Sequence, residues 1–110
     1  MEKLDHLDRR ILAILQRDAG LSLEELGDRV GLSRNAVWRR VKALEETGII
    51  RARVALLDPE KLGLGLTVFM MIKAERHTTD WLDNFTRATA DMPEILGAYR
   101  MTGDLDYLIR

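Results

Sequence analysis

Arg34, Asn35, Trp38, Arg39 and Lys42 fall within one short stretch of the chain and share one kind of chemistry. A guanidinium offers a rigid fork of donors, and a carboxamide sets a donor beside an acceptor. An ammonium is a point charge on a flexible stem. Such groups recognise oxyanions and the polar edges of planar rings. Residues 29–53 hold seven basic side chains (Arg29, Arg34, Arg39, Arg40, Lys42, Arg51, Arg53) against two acidic ones (Glu45, Glu46), a local charge of +5. Residues 1–28 and 54–110 each carry −3, so the overall charge of −1 conceals the cationic segment. Affinity for phosphates follows local density, not the total. By charge alone, a solvated basic helix face reads the same way.

Catalytic chemistry has little to work with. His6 and His77 are far apart and have no acid at ligand or dyad spacing, so both read as solvated surface residues. Asp104 and Asp106 resemble a carboxylate pair, but Gly103 beside them marks a turn. The chain lacks cysteine, which removes disulfides and thiolate metal sites. Glycine-rich phosphate loops and metal motifs are absent, so no cofactor is expected. With 46% apolar and 32% charged residues the composition is that of a soluble domain. No apolar run is long enough to span a bilayer and no secretory leader opens the chain, so the expectation is a cytoplasmic protein without membrane contact.

Three helical patterns must position the cationic segment. Leu7, Ile11, Ile14 and Leu15 recur at helical spacing, with Asp8 at the start and Asp18-Ala19-Gly20 as the stop. Ser22-Leu23-Glu24-Glu25 reads as a capping box, in which the Ser hydroxyl takes the Glu25 N–H and Glu25 reaches back. Leu23, Leu26 and Val30 form the buried stripe of this second helix, and Gly31 ends it in the left-handed conformation. Leu32 fills the turn, Ser33 caps a third helix over 33–47, and Gly48 terminates it. Val37, Val41 and Leu44 lie within about 60° of one another at 100° per residue and define its inward side. A short helix, a glycine-containing turn and a longer helix over 22–48 have the order and size of a DNA-reading helix-turn-helix, with the first helix completing the core.

The side opposite the core stripe presents Asn35, Arg39, Lys42 and Glu46, with Trp38 and Arg34 toward one flank. Arg34, Asn35, Trp38 and Arg39 are the candidate base-edge readers, since Arg forks onto guanine and Asn onto adenine. Trp38 suits either a thymine methyl or packing on a neighbouring helix. Lys42, nearer the C-terminal end, suits a phosphate. Arg40 falls beside the core stripe and either snorkels to a phosphate or holds an acidic group on another helix. Arg51 and Arg53 either reach the DNA backbone or solvate the segment after the helix. Ser22 and Ser33 are caps whose neighbouring backbone N–H groups can also meet phosphates.

After Gly48 the period changes. Residues 49–57 alternate as a strand or an extended hinge, and Asp58-Pro59-Glu60-Lys61-Leu62-Gly63 is a turn-rich connector. Leu66–Ala74 is β-prone and almost continuously apolar, so burial on both faces is expected. A helix over 80–92 turns Trp81, Phe85, Ala88 and Met92 inward. Two strands, Ile95–Met101 and Tyr107–Ile109, flank the turn 102–106. The domains read as 1–50, a hinge strand and linker over 51–63, and 64–110. One helix can cover only one face of the apolar strand, so a second copy's sheet is the expected cover for the other. A dimer would also supply the second reading helix that paired half-sites require.

The runs L-D-R-R-I-L-A-I-L-Q (7–16), L-S-L-E-E-L-G-D-R-V-G-L-S-R-N-A-V-W-R-R-V-K-A-L-E-E-T-G-I-I (21–50), L-D-P-E-K-L-G (57–63) and M-P-E-I-L-G-A-Y-R-M-T-G-D-L-D-Y-L-I-R (92–110) together resemble the Lrp/AsnC (feast/famine) regulators. The resemblance implies an α+β chain: an N-terminal three-helix winged helix-turn-helix, a hinge strand and a ferredoxin-like βαββαβ domain. That domain binds amino acids at subunit contacts and pairs through its sheet, giving homodimers or higher homo-oligomers. Its effector loop corresponds to Thr102, Gly103, Asp104 and Asp106, with Tyr99 and Met101 on the preceding strand. The stretch A-L-L-D-P-E-K-L-G-L-G-L is similar to a subgroup associated with cysteine catabolism. The chain stops at Arg110, inside the family domain's third strand, so a partial βαββ with an uncovered sheet face and edge is expected.

Two other functions compete with that of a DNA-binding regulator. Some siroheme decarboxylases share the family plan, but they are expected to carry histidine where this chain has Gly103-Asp104-Leu105-Asp106; a porphyrin absorbance scan separates them. A ligand-sensing module without DNA binding is opposed by the +5 segment and the exposed Asn35/Arg39/Lys42 face, and steep salt dependence of DNA affinity would separate it.

Overall fold

Asp5 and Asp8 begin the first helix by capping each other. In the computed structural model, which describes residues 3–110, the Asp5 side chain accepts the Asp8 N–H at 2.8 Å, and Asp8 Oδ2 accepts the Asp5 N–H at 3.3 Å. Helix α1 (His6–Leu15) therefore starts before Asp8. The expected start at Asp8 is corrected: it stands at the third helical position, where it completes the box opened by Asp5. Beyond the helix, Asp18 Oδ1 accepts the Gly20 N–H at 3.0 Å and closes the turn.

Helix α2 (Leu23–Val30) carries the expected box, with Ser22 Oγ accepting the Glu25 N–H at 3.1 Å and Glu25 Oε2 accepting the Ser22 N–H at 3.2 Å. It ends at Gly31, whose φ of 75° only glycine adopts at little cost. Helix α3 (Arg34–Glu46) opens with Ser33 Oγ accepting the Ala36 N–H at 3.2 Å. The turn between α2 and α3 is drawn tight by the Leu32 N–H donating to Gly27 O at 2.9 Å.

Ile11, Leu26, Val30, Val37, Val41 and Leu44 form the core of this unit, with Ile11 and Val37 wholly excluded from solvent. Leu4, Leu12, Ile14, Leu15, Leu23, Leu32 and Ile50 pack around them. Each fully buried aliphatic chain contributes roughly 1.5–3 kcal/mol over its exposed state. Six such chains from three helices over-determine the angle at which α3 leaves the core.

Residues 51–57 belong to no strand, which corrects the expected hinge strand. The alternation there is real, but a ladder requires a second edge. None pairs with this segment among the described residues. The chain divides into two compact units between Leu56 and Leu57.

The second unit contains β1 (Met70–Ile72), α4 (Thr79–Asp91), β2 (Ala98–Arg100) and β3 (Tyr107–Ile109). The strands pair antiparallel in the order β1-β3-β2, so the last strand lies between the other two. Register sets Met71, Leu108 and Tyr99 side by side on one face. Met70, Ile109 and Ala98, then Ile72, Tyr107 and Arg100, share the other. Tyr107 meets α4: its ring centroid lies 4.6 Å from Phe85 and 5.6 Å from Trp81, and those two rings stack at 5.0 Å.

Trp81 and Phe85 thus face the sheet as expected, whereas Ala88 and Met92 are exposed. Strands of three residues run about 10 Å. They cover about half of a thirteen-residue helix, which runs about 20 Å. Burial of Leu66–Ala74 on both faces is also corrected, since Leu66 is 86% exposed and Met71 62%. One helix covers one face, and nothing in this unit lies over the row Met71–Leu108–Tyr99.

Candidate nucleic-acid interface

The solvent side of α3 carries Arg34, Asn35, Trp38, Arg39 and Lys42, all exposed, opposite the buried Val37, Val41 and Leu44. Asn35, Trp38, Arg39 and Lys42 are linked by spacings of three and four. They form one contiguous patch with neighbouring Cβ atoms roughly 5–6 Å apart. Ser33 places the free N–H groups of the first turn at one end of it. Ser22 does the same for α2.

Trp38 is part of this exposed side. It is 47% exposed, and Lys42 Nζ sits 4.8 Å from its ring centroid. At an exposed site such a cation–π contact stabilises by about 0.5–1 kcal/mol. Lys42 is therefore tethered near the patch, and about half of the tryptophan remains open to solvent.

Of the two roles open to Arg40, the structure displays the acidic one. Its Nη1 donates to Asp5 Oδ2 at 2.6 Å and to Asp8 Oδ1 at 3.0 Å. The Arg40 hydrogen bond, aided by the Asp8 backbone N–H, holds the Asp5 carboxyl below its ordinary value of 3.8. Arg40 is raised in turn, first by the bond to Asp5 and then by the bond to Asp8. Arg53 donates to Glu45 Oε1 at 2.9 Å, which ties the segment after α3 back to that helix. Arg51 is exposed. A cleft of about 400 Å³ beside α3, lined partly by Leu4, Asp8, Leu32, Arg39, Arg40 and Ile49, borders the patch.

Sequence reasoning missed Gly27. A Cβ there would stand 2.5 Å from Leu32 O, so the helix-to-helix turn closes only over a glycine. Nothing in the local pattern marks it, because the close approach comes from residues five positions away. The Asp5–Asp8 pair was findable, since an acid three residues before another at a helix start is itself a capping signal.

In the second unit, Thr102, Gly103 and Asp104 are exposed in the β2–β3 turn, where Gly103 has a φ of 105°. Tyr99 and Met101 are exposed on the strand leading into it. Asp106 differs from its neighbours. It is partly buried, its Oδ2 accepts the Ala74 N–H at 2.7 Å, and its own N–H donates to Ile72 O at 3.0 Å. It thereby fastens the turn to the end of β1. Sequence spacing offered His77 no acid, yet the fold brings Asp106 Oδ1 to 3.9 Å from His77 Nε2. No cluster of three or more His, Cys, Asp or Glu side chains able to hold a metal ion occurs among the described residues. No helix there is long and apolar enough to cross a membrane.

Fold and patch together define a helix-turn-helix DNA-binding unit joined to a small α+β unit. Residues 4–51 match the family of winged helix-turn-helix DNA-binding domains, and residues 67–110 match the Lrp/AsnC ligand-binding domain. The chain is 50% identical over 107 residues to the DNA-binding transcriptional activator DecR of Escherichia coli, covering 97% of this chain and 70% of that one. An AsnC family transcriptional regulator from Agrobacterium tumefaciens superposes with a TM-score of 0.91 at 47% identity, over 96% of this chain and 69% of that one. A transcriptional regulator from Neisseria meningitidis, solved as a complex with L-Met, gives 0.89 at 39% identity, over 97% and 69%. The chain spans about two thirds of the length of these relatives. It belongs to the Lrp/AsnC family of transcriptional regulators and is a DNA-binding protein of that class.

Proposed function

We propose that this regulator lays the N-terminal half of α3 in the major groove of duplex DNA. In this reading Arg34, Asn35 and Arg39 meet base edges, and Lys42 and Arg51 meet phosphates. The first-turn N–H groups behind Ser22 and Ser33 meet further phosphates. Arg40 and Arg53 act through their carboxylate partners and not on the DNA. The single observation that carries the reading is the exposed cationic and amide patch standing directly opposite the Val37–Val41–Leu44 core. Two copies, paired through the apolar row Met71–Leu108–Tyr99, would present two such helices to paired half-sites. The second unit senses a small amino acid through the turn 102–104 with Tyr99 and Met101. The regulator works in the cytoplasm and performs no catalysis.

Fluorescence anisotropy of labelled duplexes across a salt series tests the DNA reading. Affinity should fall steeply with salt, with a log–log slope of about −0.9 per phosphate neutralised. A flat salt response, or no binding at low salt, would remove it.

A further inference from the structure

Trp38 is out of place on its face. It is a large apolar ring, 47% exposed, among the polar side chains of Asn35, Arg39 and Lys42. Lys42 Nζ lies over the ring at 4.8 Å, which steadies the indole while about half of the residue stays open to solvent. It stands three positions from Asn35 and four from Lys42, so it lies on the same surface patch as the donors that would read bases. A major groove offers one large apolar feature to such a ring, the C5-methyl group of thymine.

We propose that Trp38 is a specificity-determining residue: its indole, held by Lys42, seats a thymine methyl beside the bases met by Asn35 and Arg39. This rests on the placement of α3 in the major groove given above. Four residues of α3 rise about 6 Å, close to two base-pair steps of roughly 3.4 Å each. The selected thymine therefore lies within one or two steps of the base pair read by Asn35 or Arg39. Lys42 acts as a positioning residue in this arrangement as well as a phosphate contact.

A preferred duplex would first be selected from a random library with the wild-type chain. Each thymine would then be replaced singly by uracil, which removes only the methyl. One position per half-site should lose affinity about fourfold, the worth of one buried methyl. Trp38→Ala should bind the thymine and uracil duplexes equally, whereas Trp38→Phe should keep part of the preference. Selection of no duplex would sink the DNA reading itself. Binding that ignores uracil at every position, or a thymine preference that survives in Trp38→Ala, would overturn the assignment of Trp38 and leave the DNA reading standing. Circular dichroism checks that Trp38→Ala is folded; if it is not, Trp38→Phe decides, since a thymine preference kept in full there would overturn the assignment.

Discussion

Arg40 Nη1 lies 2.6 Å from Asp5 Oδ2, joining α3 to the residue that caps the first helix. The same guanidinium reaches Asp8 Oδ1 at 3.0 Å, so both members of one capping box also hold α3. The start of α1 and the angle of α3 are thereby coupled through three side chains.

Replacing Arg40 by Gln should lower the melting temperature and also loosen α1. The pair is partly exposed and screened by solvent, so it stabilises only weakly. A drop of about 2–5 °C is therefore expected for a unit of this size. DNA affinity should fall modestly, with sequence preference kept, because no base contact is lost. Loss of preference together with full thermal stability would mean that Arg40 touches DNA.

Acid should weaken the same link. The Asp5 carboxyl is held below 3.8 in the folded chain, so on acidification the unfolded chain takes up the proton first. The stabilisation is complete at neutral pH, and it declines as the pH falls below about 4 toward the folded value. Melting curves from pH 7 to pH 2.5 should show a shallower acid slope in Arg40→Gln than in wild type. Parallel slopes would contradict the link.

Gly27→Ala should be costlier than any exposed glycine replacement in the unit. Its Cβ would meet Leu32 O at 2.5 Å, a backbone atom that cannot swing aside. Overpacking of this kind costs about 1–3 kcal/mol. The turn would have to open, so DNA affinity should fall along with stability, as urea unfolding and anisotropy on the same sample would show. An unchanged midpoint would refute the tight turn.

Arg39→Ala and Lys42→Ala should part company. The first should lose discrimination at one base pair by about 1–3 kcal/mol, and the second should weaken all duplexes alike and reduce the salt slope by about 1. Competition with scrambled duplex would read both.

Met71→Lys should make the chain monomeric. Met71 is 62% exposed and stands beside Leu108 on the open apolar face that Tyr99 completes, where a buried unpaired ammonium would prevent two sheets from meeting. Sedimentation velocity should show wild-type dimers and mutant monomers. A dimeric mutant would place the interface elsewhere.

The helix-turn-helix was legible in the sequence because its signals are local. Ser22, Gly31 and Ser33 each satisfy or permit backbone geometry within four residues of themselves, and the stripes of α2 and α3 have a helical period. The partners of Arg40 were not legible, since thirty-five positions separate it from Asp5. Gly27 was hidden for a related reason, as its constraint lies in the backbone of another turn. In the second half, alternation announced strands, but their length depends on a partner edge, so 66–74 and 95–101 shrank to three residues each. For Asp106, turn chemistry was visible and the bond to Ala74 was not.

The most direct measurement of the central claim is an amide chemical-shift map of the isotope-labelled chain as a duplex selected by it is added. The largest changes should fall on Ser33–Lys42, with smaller ones at the start of α2 and near Arg51. Shifts concentrated on the exposed face of α1 or in the turn 102–106, with Asn35 and Arg39 unmoved, would contradict it.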